Sequence, residues 1–161
     1  MNRKSNLSLI IVALALVIAL FTLVLPSLYI VGNQRVIMGW ITSFGGTLRN
    51  YNGVNLKVHL SAGGLINFII PVVIALLTHF FGKSQKSTYF LTFVLFIANI
   101  ILTLSTKISF MNVNIGGAIQ GTQSCVLFVG PYSCVVLQSI GAIVSLVGLL
   151  YKPNARFNKK Y

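Results

Sequence analysis

Apolar residues gather in four long blocks, 7–31, 62–81, 88–106 and 134–151, and polar residues collect between them. As helices rising about 1.5 Å per residue, these blocks are long enough to cross a hydrocarbon core about 30 Å thick. The first exceeds a signal-peptide core of about 7–15 residues and no A-x-A cleavage site follows it, so it reads as a retained helix. Pro26 near its outer end predicts a kink or the start of the exit from the membrane.

The two long polar segments, 32–61 and 107–133, carry a different period. Val54, Leu56, Val58 and Leu60 alternate with Asn55, Lys57 and His59, as in a strand with one covered face. Asn52-Gly53 just ahead suits a two-residue type I′ hairpin turn, so 48–51 can pair back. Gly45-Gly46 offers another bend, after Trp40, Thr42 and Phe44. In the second segment, 108–110 and 113–115 alternate with a phase slip between them that suits a bulge. Gly130-Pro131 reads as a turn inside 125–134. These strands predict one small outer sheet whose apolar face rests on the helix ends. The fold class is thus a membrane all-α four-helix bundle with a small extracytoplasmic antiparallel β-sheet from the two outer loops, forming a single domain over 1–161.

Composition narrows the chemistry. Of the 161 residues, 56% are hydrophobic and only 7% are charged. All twelve charges are Lys or Arg, and there is no Asp or Glu. That absence removes paired-carboxylate catalysis, carboxylate metal cages and the acid of a Ser-His-Asp triad. The chain is read as non-enzymatic, with no catalytic set, cofactor or metal site. Nucleic acid is not expected as a partner, because the cations sit at the ends of apolar blocks. Eight of the twelve lie in the N-terminal segment, the 82–87 turn and the 152–161 tail, and four lie in the long loops. Cytoplasmic loops concentrate Lys and Arg. Both termini are therefore expected on the cytoplasmic side of a plasma membrane, with anionic head groups as partners of the tail.

Several residues stand out within this frame. Cys125 and Cys134 would both lie on the outer side, where a disulfide persists, and would close a loop of about ten residues. The alternative is two unpaired buried thiols. The two thiols with His59 would make too few ligands for a metal. Asn67, Asn99 and Gln138 lie about 6–10 Å below the outer boundary of their helices. Amides at that depth turn inward. They read as an interhelical hydrogen-bonded layer, or else as the lining of a polar cavity for an ion or small solute. The layer is preferred because no charge accompanies the amides. Gly141, Ser145 and Gly148 share one helix face and allow close packing. Ala13, Ala15 and Ala19 offer a complementary surface. Trp40, Asn55, Lys57 and His59 make up the expected contact surface of the outer sheet.

Four helices, both termini inside and strand-forming outer loops resemble the claudin-type tetraspan plan over the whole chain. The sequence departs from that family in its first loop, which holds Trp40 but no cysteine. The resemblance implies a rigid outer sheet used to contact a partner. The expected function is a protein-interaction, scaffold or accessory subunit of a membrane complex, its partner another protein or a second copy. The alternative is a small transport or channel component with a path lined by Asn67, Asn99 and Gln138.

Overall fold

The computed structural model describes residues 3–30, 35–49, 55–58, 61–82, 86–109, 113–115, 118–119 and 125–150. Four long helices dominate it: α1 (Arg3–Val24), α3 (Ala62–Phe81), α4 (Lys86–Ser109) and α5 (Val129–Leu150), with a six-residue α2 (Gly39–Phe44) between the first two. They form a ring in which α1 packs between α3 and α5, and α4 closes the ring against the same two helices. One end of the ring carries all the strands and is called the sheet end below; the α3–α4 turn marks the other.

Each long helix contains a window of 19 to 22 residues long and apolar enough to cross a membrane. The bundle is also inverted relative to a water-soluble one. Leu150 is 69% exposed and Ile143 62%, while Asn99, Thr92 and Ser145 are fully buried. A soluble protein rarely exposes contiguous apolar surface on this scale. These are the features of a multi-pass membrane protein. Ile11, Ala15, Ile18, Ile74, Tyr89 and Phe96 form the apolar core between the polar positions.

The first apolar block does not continue as a helix to 31. α1 stops at Val24, and Pro26–Ile30 forms strand β1. Proline cannot donate to Thr22, so the helix has to yield close to Pro26. β1 is the centre of a three-stranded antiparallel sheet, flanked by β2 (Arg35–Met38) and β7 (Cys125–Leu127). Leu28 stands opposite both Ile37 and Leu127, and all three are buried. This sheet, unforeseen from the sequence, is the one that caps the bundle.

The residues 40–44 form helix α2 and not an extended segment. Trp40 and Phe44 are exposed while Ile41, Thr42 and Ser43 are buried, which is helical spacing. Gly45 ends the helix at φ 77°, a conformation glycine adopts without a Cβ penalty. Glycine also lets α2 sit close: a Cβ on Gly39 would run into the carbonyl of Thr22. On α5, a Cβ on Gly130 would lie 2.7 Å from the carbonyl oxygen of Pro26. Gly130-Pro131 is thus not a hairpin turn. It lies in the first turn of α5, where proline's missing N–H costs nothing.

A second sheet has the order β3 (Gly46–Arg49), β4 (Asn55–Val58), β5 (Val113–Ile115), β6 (Ala118–Ile119), all antiparallel. The expected hairpin is present, but offset by one residue. A two-residue turn at Asn52-Gly53 would put Leu48 opposite Lys57; Leu48 instead pairs with Leu56. That register places apolar residues with apolar ones, which is what fixes register in a two-faced sheet. Residues 50–54, including the turn, lie outside the described residues. Ile108 and Ser109 belong to α4 and not to a strand.

Candidate functional site

Interior polarity is concentrated on α4. Thr88, Thr92, Asn99 and Thr103 are all buried and recur at helical spacing, so one stripe of the helix faces inward. The hydroxyl of Thr103 donates to the carbonyl of Asn99 at 2.7 Å, and lies 3.4 Å from Asn67 Oδ1. It accepts from Gln138 Nε2 at 3.4 Å. Thr103 therefore ties α3, α4 and α5 together near the sheet end. Asn67 and Gln138 meet through it, and not through each other.

Asn99 sits one turn further in, fully buried, and neither of its side-chain amide atoms has a protein partner among the described residues. Gln138 Oε1 is likewise without one. The next layer inward is closed by Phe96, fully buried against α5. Below that, Thr92 donates to Ser145 at 3.2 Å, and Ser145 to the carbonyl of Gly141 at 2.8 Å.

The face of Gly141, Ser145 and Gly148 receives the aromatic rings of α4. A Cβ on Gly141 would lie 2.6 Å from Phe96 Cζ, and one on Gly148 would meet the ring of Tyr89. The neighbour is α4 and not the alanines of α1, of which Ala15 and Ala19 are buried and Ala13 exposed.

At the sheet end, the five helices together with β1 and β7 line a cavity of about 30 Å³. Its polar lining comes from Thr22, Ser27, Thr42, Ser43, Asn67 and Thr103. Ser61 caps α3 beside it, accepting from the N–H of Gly64 at 3.1 Å. Cys134 also reaches this cavity. It carries a free, buried thiol, 3.6 Å from Thr22 Oγ1 and 3.9 Å from the carbonyl of Ile18. The disulfide expected with Cys125 is therefore not formed. The cause is the start of α5 at Val129, which places Cys134 in the helix against α1, while Cys125 pairs with Ile30 in β7.

Within the four-stranded sheet, strand register sorts residues by face. Gly46, Leu48, Leu56, Val58, Val113, Ile115 and Ala118 hold positions on one face; Thr47, Arg49, Asn55, Lys57, Asn114 and Ile119 hold the other. Among the described residues, this sheet packs on itself, with no more than marginal contact to any helix. At the start of β3, Gly46 on the apolar side approaches Ile41 and Trp40 of α2. Trp40 stands half-exposed on α2, its ring beside Gly46 at the start of β3, while Asn55 and Lys57 hold positions on β4. His59 lies outside the described residues.

Thr103, Ser43, Thr42 and Thr22 were not singled out from the sequence. The four-seven-four spacing of Thr88, Thr92, Asn99 and Thr103 was the available signal. No protein-family model, curated protein or solved structure matches this chain.

Proposed function

We propose that this chain is a non-enzymatic, four-span plasma-membrane protein that docks a protein partner on its outer four-stranded sheet, as an accessory or scaffold subunit. In plan it is claudin-like. One observation carries the reading: the sheet has a row of six aliphatic positions on one face, and among the described residues no helix makes more than marginal contact with it, α2 reaching it at Gly46. A small sheet with an uncovered apolar face is marginal in water and gains stability when another surface covers it. The concentration of Lys and Arg in the N-terminal segment, the 82–87 turn and the tail supports a cytoplasmic location for both termini. The tail then meets anionic lipid.

The transport alternative draws on the polar layer of Asn67, Thr103 and Gln138. Phe96 and the apolar core fill the bundle beneath that layer, which favours a closed scaffold over a path.

Purification in mild detergent tests the docking reading. A stoichiometric partner is expected with the wild type and is expected to be lost with Leu56→Asp. Monodisperse protein without a partner in both, together with solute flux in liposomes, would favour the transport alternative.

A further inference from the structure

We propose that the cavity at the sheet end is a binding site for a neutral, hydrogen-bond-donating molecule the size of water, held by Ser43, Thr42, Thr22, Thr103 and Asn67. This site is independent of the docking sheet. Its size sets the first limit. A cavity of about 30 Å³ accommodates one or two water molecules, each of which needs two to four polar partners.

Hydrogen-bond accounting sets the polarity. Thr22 donates its proton to the carbonyl of Ile18 at 2.8 Å, Thr42 to Gly39 at 2.7 Å, and Thr103 to Asn99 at 2.7 Å. A hydroxyl holds one proton and two lone pairs, so these three offer the cavity acceptors. Ser43 lines the same cavity, is 1% exposed, and its Oγ has no protein partner among the described residues. A buried hydroxyl in that condition calls for a ligand, since leaving it unsatisfied is costly. The threonines call for donors from the ligand, while Ser43 can either donate its own proton or accept, so the ligand supplies donors and can also accept.

Charge sets the last limit. A cation would meet no carboxylate side chain, because the chain has no Asp or Glu. It would also lie beside the first turns of α3 and α5, at Gly64 and Gly130, where helix dipoles are positive. An anion would need donors. The three threonine protons are spent, the N–H groups of Gly64 and Leu65 already go to Ser61, and no Lys, Arg or His lines the cavity, so only the neutral donors of Ser43, Ser27 and Asn67 would face a full negative charge. A neutral donor satisfies both constraints, and water is the simplest.

The test uses full-length, isotope-labelled protein in lipid bilayers. Magnetisation transfer from water to the side-chain amide of Asn67 is expected to build up at least about threefold faster than transfer to the backbone amide of Ile74 in the core. Ser43→Ala, which keeps the fold's volume, is expected to slow the Asn67 transfer by about twofold or more. Equal build-up at Asn67 and Ile74, or no effect of Ser43→Ala, overturns the site. A second arm exchanges Na+ for choline, or chloride for gluconate, at constant ionic strength. The melting temperature is expected to stay within about 1 °C. A larger shift with the cation or the anion that disappears in Ser43→Ala would assign an ion to the cavity and overturn the neutral ligand, whereas a shift the variant keeps belongs to the surface charge and leaves the neutral ligand in place.

Discussion

Thr103 and Asn99 are neighbours on one helix turn and illustrate opposite uses of a buried polar group. Thr103 links Asn67 and Gln138 across three helices, so removing its hydroxyl strands the Nε2 of Gln138. Thr103→Val keeps the shape and is expected to lower stability by about 1 kcal/mol, the scale of interhelical hydrogen bonds in membrane proteins. Asn99 has no such partner among the described residues. Asn99→Leu, close in volume, is expected to leave stability unchanged or raise it by up to about 1 kcal/mol. Unfolding in a mixed-micelle denaturant series ranks the two variants. The reverse order would move the tie from Thr103 to Asn99. Gly141 gives a third residue-scale test. An added methyl must displace the buried ring of Phe96. Overpacking costs about 1–3 kcal/mol, while alanine in a helix recovers about 1. Gly141→Ala is expected to be net destabilising, and Phe96→Leu in the same chain is expected to restore most of the loss.

Among the elements, the short ones at the sheet end depend on backbone contact. α2 is only six residues long, too short to be stable alone. It is held by the N–H of Gly39 donating to the carbonyl of Leu25 at 3.0 Å, by the ring of Phe44 against Phe68, and by the close approach of Gly39 to Thr22. Gly39→Ala sets a methyl against a carbonyl, which unlike a ring has no rotamer to escape into. Its cost is expected to exceed that of Gly141→Ala, at about 3 kcal/mol. Protease cleavage within 35–49 reads out the release of α2. The same elements show what a linear pattern conveys. The helix over 62–81 was legible to the residue, because Ser61 caps it and apolar residues fill it. The strand of Leu56 and Val58 was legible from period two. The α1 end, the α2 helix and the start of α5 were not. Leu25, Trp40 and Val129 all lie in continuous apolar sequence, where burial by neighbours and not periodicity decides between helix and strand. Likewise, Asn67, Asn99 and Gln138 were visible as amides at similar depth, whereas Thr103 and Ser43 gain their roles only once helices are assembled around them.

Taken whole, the molecule is held together without ion pairs between side chains, because it has twelve cations and no carboxylate side chain. Eight of those cations adjoin, in sequence, the helix ends away from the sheets: Arg3 and Lys4 open α1, Lys86 opens α4, and Lys83 and the four of 152–161, which lie outside the described residues, follow α3 and α5 in the chain. Tethering to helix ends on one side of the bundle brings this like charge closer together than an extended chain would. Salt screens such repulsion over a Debye length of about 10 Å at 0.1 M and about 3 Å at 1 M. In a protein stabilised by surface ion pairs, added salt weakens the pairs. Here the sign reverses. Raising sodium chloride from about 0.02 to 0.5 M in neutral detergent is expected to raise the melting temperature by a few degrees, as self-repulsion is relieved. Anionic lipid at low salt is expected to do the same, because its head groups supply the missing negative charge at that end. Replacing Lys83 and Lys86 with Gln is expected to shrink both effects. A melting temperature that falls with salt, or that ignores both salt and anionic lipid, would mean that the gathered charge carries no energetic weight in the fold.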